Sequence, residues 1–355
     1  MIVELTTSTK MPATLPQLKA LAFQTAPDLH PSWVDAENVL REATDPSKPP
    51  LEPLVRQPIY AQECRDLFVS TIAPGTRDHD LAQGIDRREF TVPSSVDGFA
   101  IPVLQLDLAR DEAANGQDAG RQPELIVIYY HGGGLHVGEA DSEEHSCRRI
   151  VKGSPQRVRL YSIGYRLKPK YSAKMCVSDA RDGFNALRSS TIRTLVVGSS
   201  SGGQLAASVA QKAPKGSIHG LLLRCPATCD PTENKKHIPE TLRSLHTSRH
   251  QSFATFIFDK SKGSVVPRAE LEDVPLEAGH EEFQNYPRTW IQLCSNDNLY
   301  SDGLCLAMAL VNSGVEVEVD VWKGWPHTFW LRTPHLQEAF EADQSMLEGL
   351  RWLID

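Results

Sequence analysis

A serine set among glycines, Gly198-Ser199-Ser200-Ser201-Gly202-Gly203, follows directly on the apolar run Thr194–Val197 and leads into an Ala-rich stretch. A strand that turns into a helix through G-x-S-x-G forms a nucleophile elbow. The turn is so tight that the positions two before and two after the nucleophile must be nearly free of side chain, hence Gly198 and Gly202 around Ser200. Ser200 Oγ is then expected at the carboxyl end of a sheet, with the positive end of a helix dipole beside a developing oxyanion. The other use of such a turn, a phosphate cradle, calls for G-x-G-x-x-G or G-x-x-x-x-G-K-[ST], and neither occurs.

A second signal is His131-Gly132-Gly133-Gly134 after the apolar run Leu125–Tyr130. Consecutive glycines there let backbone N–H groups approach a substrate carbonyl that side chains would obstruct. The N–H groups of Gly132, Gly133 and Ser201 are therefore the expected oxyanion donors. Serine is a weak nucleophile unaided and needs a base with an orienting carboxylate, in chain order Ser, acid, His. Asp297 follows the apolar run Trp290–Cys294, and His327 follows Val315–Trp322. Both fall at strand exits, where ligands bind in parallel sheets. Asp302 competes with Asp297 for the acid role, but its position at the opening of a helix suits an N-cap.

These residues require a sheet to carry them. Eight β-type runs are legible: REFTV from Arg88, AIPVLQL from Ala100, then 124–130, 157–165, 194–198, 219–225, 288–295 and 315–322. From residue 130 they alternate with helical patterns near 175–189, 204–212, 304–312 and 335–354, which indicates a mostly parallel sheet covered on both faces. Residues 1–85 read as a loose helical arm, with apolar spacing around Leu15–Phe23, Trp33–Leu40 and Tyr60–Val69 between Pro-rich breaks. Asp111–Gln122 reads as a flexible surface loop. Residues 228–285 interrupt the alternation with charged, amphipathic material. The expected organisation is an N-terminal cap arm over 1–85, a catalytic core over 86–227 and 286–355, and a cap insert over 228–285.

HGGG-x-x-x-G, G-x-S-x-G-G, D-x-L-x-x-D and a late G-x-x-H resemble the hormone-sensitive-lipase-like branch of the α/β-hydrolase superfamily, over roughly residues 87–355. Tyr165-Arg166-Leu167 with Pro169 resembles that branch's Y-R-L-x-P stretch, which braces the sheet near the oxyanion loop. The ending Trp325-Pro326-His327-Thr328-Phe329-Trp330 is similar to fungal esterase-like members associated with small-molecule metabolism. The resemblance implies an α/β-hydrolase fold, an eight-stranded mostly parallel sheet with a helical cap, and ester hydrolysis through Ser200, His327 and Asp297. Two departures stand out. Ser199 and Ser201 replace the Asp and Ala of G-D-S-A-G-G, and Lys168 and Lys170 replace the usual Ala and Glu of Y-R-L-A-P-E.

Composition narrows the partners. Of 355 residues, 37 are Lys or Arg and 45 are Asp or Glu, a net charge of −8 without a basic cluster, which argues against nucleic acid and anionic membranes. No run reaches the length of a spanning helix, and the opening residues lack a basic then apolar leader. Seven scattered cysteines without C-x-x-C spacing, and no N-x-[ST] acceptor, fit a reducing, cytoplasmic setting. Cys225 and Cys294 read as small core residues. His246 and His250 stand at i, i+4 but lack a zincin glutamate or a third ligand, so they read as an exposed cap face, with no metal. Trp325, Phe329 and Trp330 are candidates to line an acyl or aryl pocket, while Phe253, Phe256 and Phe258 read as glue for the cap.

The sequence thus points to a cofactor-free serine hydrolase acting on an uncharged or weakly charged small-molecule ester, lactone or thioester. An acyltransferase or cyclising release enzyme would use the same acyl-enzyme. A ligand-binding protein, as the resemblance to gibberellin-receptor-like members allows, or a non-hydrolytic catalyst would use the same scaffold. The oligomeric state is left open, a homodimer among the states allowed.

Overall fold

In a computed structural model the chain is described except at residues 1–7, 43, 45–48, 50, 110–121, 230–237, 258–269 and 272–273. Among the described residues nine strands form one sheet: β1 (Ser8–Pro12), β2 (Ile85–Pro93), β3 (Ala100–Leu108), β4 (Leu125–Tyr130), β5 (Val158–Ile163), β6 (Arg193–Ser199), β7 (Gly220–Arg224), β8 (Thr289–Asn296) and β9 (Val317–Pro326). Their order is β1-β9-β8-β7-β6-β4-β5-β3-β2. Strands β4 to β9 are parallel to their neighbours within that group, and β2 and β3 pair antiparallel on one edge. The eight strands legible in the sequence are β2 to β9. The ninth, β1, pairs antiparallel with β9, Ser8 opposite Trp322 and Pro12 opposite Glu318. Its sequence, STKMP, has no apolar alternation; it is recruited by the open backbone edge of β9. The first 85 residues are therefore not wholly a helical arm.

The helices are α1 (Leu15–Ala20), α2 (Pro31–Glu42), α3 (Pro53–Thr71), α4 (Glu144–Gly153), α5 (Ala173–Leu187), α6 (Ser201–Lys212), α7 (His280–Phe283), α8 (Tyr300–Asn312), α9 (Phe329–Arg332) and α10 (Gln337–Ile354). Proline stands at the first position of α2 and of α3, where its missing N–H costs nothing. Every residue of β4 is buried, because successive side chains enter opposite cores. Ile126, Ile128 and Tyr130 face α5 and α6, in the same core as Phe184, Leu205 and, further along the sheet, Leu304 of α8. Leu125, Val127 and Tyr129 meet α4 and α10 through Ile150 and Leu350. Arg166 braces the loop after β5 by a bidentate pair with Asp179, at 2.8 and 2.7 Å, and a 2.6 Å bond to Asp97.

The sheet order changes direction at β4, which lies between β5 and β6 although it precedes both in sequence. At such a switch point the loops leaving adjacent strands diverge and open a crevice. Here those are the loop at His131 and the turn at Ser200. The described part of 228–285 contains only short helical turns at Glu240–Leu242, Gln251–Phe253 and Pro275–Glu277, followed by α7. The expected loop at 111–122 falls almost wholly outside the described residues. Among the described residues no helix is long and apolar enough to cross a membrane.

Candidate active site

Ser200 joins β6 to α6 with φ 54° and ψ −120°, a conformation that L-residues rarely adopt and that aims its side chain off the strand end. The glycines permit the turn. A β-carbon on Gly198 would lie 2.2 Å from Gly202 O, and one on Gly203 would lie 2.8 Å from Pro226 Cβ. The Ser200 N–H donates to Arg224 O at 2.8 Å, tying the elbow to the end of β7.

Three strand exits bring Ser200, His327 and Asp297 together. Ser200 Oγ is 2.8 Å from His327 Nε2, and His327 Nδ1 is 2.7 Å from Asp297 Oδ2. With the imidazole proton on Nδ1, Ser200 donates to Nε2 and Nδ1 donates to the carboxylate. The second Asp297 oxygen accepts the Leu299 N–H at 2.8 Å, so the carboxylate cannot turn away. Burial lowers the proton affinity of His327, but the charge and hydrogen bond of Asp297 more than reverse this, leaving its pKa above 6.5. Such a chain can deprotonate a hydroxyl, hold the resulting imidazolium and return the proton to a leaving group.

The glycine loop departs from expectation at its first glycine. The Gly132 N–H donates to Glu143 Oε1 at 2.7 Å and so is already committed within the protein. Gly133 and Gly134 both have positive φ, 112° and 64°, and a β-carbon on Gly133 would lie 2.0 Å from Val137 O. Among the described residues the N–H groups of Gly133, Gly134 and Ser201 have no protein acceptor, and all three residues line the cavity above Ser200. Ser201 has a further use: its Oγ accepts the Leu135 N–H at 3.2 Å, linking elbow to loop as the Ala of the family pattern could not. His131 stacks on Tyr165 with ring centres 4.3 Å apart, and burial holds its pKa down to about 4. Burial pushes the Glu143 carboxyl up, against the bonds it accepts from Tyr129 and Gly132.

The cavity over Ser200 has a volume of about 440 Å³. Helix α3 supplies one wall through Tyr60, Cys64, Leu67 and Phe68, and Ile257 of the insert contributes a contact. Trp330 lines it, but Trp325 and Phe329 do not. Trp325 is sandwiched between His30 and Phe329, at 4.8 and 4.2 Å between ring centres, and Phe329 packs on Trp322. Both are consumed in seating the loop that carries His327, in one buried cluster with Trp322 of β9 and Trp33 of α2. Arg332 at the rim and the α3 wall were not legible as site residues; their only signal was proximity to His327 and helical spacing.

Other expectations are corrected. His246 is fully buried rather than exposed: its Nε2 lies 2.9 Å from Asp302 Oδ1 and 3.3 Å from Cys229 Sγ. The i, i+4 reading fails because no helix spans 246–250, so the two histidines share no face; His250 is exposed. Asp302 lies inside the first turn of α8 rather than at its N-cap and receives the Thr228 N–H at 3.1 Å. Lys168 pairs with Glu270 of the insert at 2.8 Å. Phe253 is buried against Tyr300, Phe256 lies under Arg41, and Phe258 falls outside the described residues. Cys225 and Cys294 are buried, and the Cys225 side chain reaches the imidazole of His327. Among the described residues two donor groups are close enough to share a cation, Cys225 with Asp297 and His327, and Cys229 with His246 and Asp302. In the second, Arg249 lies 3.4 Å from the Asp302 carboxylate and already supplies positive charge there.

Comparison with known proteins gives a match of residues 127–331 to a family model described as the alpha/beta hydrolase fold. A similar curated protein is an FAD-linked oxidoreductase, pytB, of Aspergillus terreus, 30% identical over 243 residues. That alignment covers 64% of this chain and only 29% of that protein. Versiconal hemiacetal acetate esterase of Dothistroma septosporum is 25% identical over 252 residues, 66% of this chain and 75% of that one. Among solved structures, vibralactone cyclase superposes with a TM-score of 0.75 at 19% identity, covering 93% of this chain and 96% of the other, a likeness of fold.

Proposed function

The chain belongs to the α/β-hydrolase fold family, and from that premise we propose that it is a serine hydrolase cleaving a carboxylic ester of a small molecule. The observation that carries the reading is the chain Ser200 Oγ, His327 Nε2, His327 Nδ1, Asp297 Oδ2, two hydrogen bonds of 2.8 and 2.7 Å at the floor of a cavity. Ser200 attacks the ester carbonyl as His327 takes its proton. Asp297 holds the ring and stabilises the imidazolium, which then protonates the departing alcohol. Water activated by the same imidazole releases the acid. The oxyanion is received by the N–H groups of Gly133, Gly134 and Ser201; Gly132 is replaced in this role by Gly134, because its own N–H is engaged by Glu143.

A cavity of about 440 Å³ suits an ester of modest size. Helix α3 and the insert form the cap that roofs it, with residues 86–227 and 286–355 as the core. An acetyl or similarly short acyl group is favoured, in keeping with the acetate ester named for the Dothistroma relative. The test is fluorophosphonate labelling read by intact mass on the wild type and Ser200→Ala, with turnover of p-nitrophenyl esters of increasing acyl length. Labelling and turnover that vanish in the variant support the reading; folded wild type that neither labels nor hydrolyses overturns it.

A further inference from the structure

Beneath the glycine loop lies a carboxyl group that the reaction above leaves without a task. Glu143 precedes α4 and is 5% exposed. One of its oxygens accepts the Gly132 N–H at 2.7 Å and the other accepts the Tyr129 hydroxyl. These partners stand on either side of Tyr130 and His131, so the carboxyl bridges the last turn of β4 to the first glycine of the loop. The packing around this bridge is close. A β-carbon on Gly132 would lie 3.1 Å from Glu143 Oε1, 3.2 Å from Ser199 O and 3.2 Å from Ser200 Cβ.

The loop is anchored on both sides of its glycines. On its far side the N–H groups of His136 and Val137 both donate to Gly133 O, at 3.0 and 3.1 Å. On its near side Glu143 fixes the peptide plane that ends at Gly132 N. Between them, Gly133 and Gly134 sit at positive φ, where backbone freedom is greatest. His131 Nδ1, 2.7 Å from Gly132 O, and Ser201 Oγ, which accepts the Leu135 N–H, also brace this stretch, and Glu143 is the one carboxylate among these supports. The elbow offers no carboxylate for this purpose, since position 199 is serine. An ionised acceptor makes the stronger bond to a backbone N–H, and here it holds two donors at once.

We propose that Glu143 is a positioning residue of this reaction: its carboxylate clamps Gly132 and thereby aims the N–H groups of Gly133 and Gly134 at the forming oxyanion. The inference rests on the serine-hydrolase reading. It predicts an effect on the transition state and little on substrate uptake, because Glu143, although it lines the cavity, is only 5% exposed and the larger walls from α3 are untouched.

The test compares Glu143→Ala, Glu143→Gln and Tyr129→Phe with wild type, each checked for folding by thermal melting. Glu143→Ala should lose about 10- to 100-fold in kcat with KM nearly unchanged, and its affinity for a trifluoromethyl ketone should fall in parallel. Glu143→Gln, which keeps one oxygen for Gly132, should recover part of the loss, and Tyr129→Phe should cost less than either. Amide exchange at Gly132, whose N–H is the bonded one of the three glycines, should quicken at least about tenfold in Glu143→Ala. That readout stands even if wild type shows no Ser200-dependent turnover, which would sink the serine-hydrolase reading rather than the clamp. Folded Glu143→Ala with wild-type exchange, kcat and ketone affinity overturns the proposal. So does a loss confined to KM or melting temperature. If Glu143→Ala fails to fold, the same readouts on Glu143→Gln and Tyr129→Phe decide, wild-type values in both overturning it.

Discussion

A β-carbon placed on Gly202 would stand 2.0 Å from the carbonyl oxygen of Tyr130. The start of α6 and the end of β4 therefore touch backbone to backbone, and the two glycine motifs, distant in sequence, form one rigid unit. The elbow that lifts Ser200 and the loop that begins at His131 hold each other in place.

Gly202→Ala is expected to force that unit apart. The overlap cannot be relieved by a side-chain rotation, since the atom struck is a main-chain oxygen, and overpacking of this kind costs about 1–3 kcal/mol or more. Melting temperature and esterase kcat should fall together; a variant with wild-type values of both would contradict the contact.

Asp297 and Asp302 should separate cleanly. Asp297→Asn removes the acceptor 2.7 Å from His327 Nδ1 and should lower kcat by about 10⁴-fold. Asp302→Asn instead loosens His246 and the Thr228 N–H, so the fold should weaken while kcat of the remaining folded protein changes little. Steady-state rates and urea melts on the same preparations distinguish the two.

The pH profile follows from the sign of the His327 shift. As the proposed base, His327 would work only when neutral, and Asp297, overcoming the effect of burial, favours the charged form, so kcat/KM should rise with pH and reach half its plateau above pH 6.5. In Asp297→Asn the midpoint should move down. A wild-type midpoint at or below 6.5 would remove Asp297 as the dominant influence.

His131 carries a pH dependence of stability rather than activity. Burial holds its pKa near 4, whereas the unfolded chain titrates it at 6.5. Between those values the unfolded state binds a proton that the native state does not. Stability should therefore fall as pH drops through this window, by up to about 3 kcal/mol. Urea unfolding at about pH 7 and about pH 4 measures the slope, and His131→Asn, which cannot titrate, should flatten it.

Trp330 and Trp325 lie five residues apart with opposite duties. Trp330→Ala should enlarge the cavity and shift preference toward longer acyl chains in a p-nitrophenyl ester series. Trp325→Ala opens a void between His30 and Phe329 and should cost about 3–5 kcal/mol of stability with chain-length preference intact.

Residue type and spacing alone determined the sheet and the family. Strands such as β4, β6 and β7 were legible because parallel strands bury both faces and read as apolar runs, the antiparallel β2 and β3 through β-type residues around a turn signal, and the elbow because only glycine fits beside the serine in so tight a turn. Local order in the chain also put Ser200, Asp297 and His327 at strand exits. Tertiary structure decided what depends on partners from other segments. Which glycine N–H is free turned on Glu143, since a donor's availability is a property of the acceptor that reaches it. His246 became a buried partner of Asp302 because residues 246–250 form no helix, whatever their spacing suggested. The strand Ser8–Pro12 exists because β9 leaves an open edge, and its sequence, STKMP, carries no periodic signal to announce it.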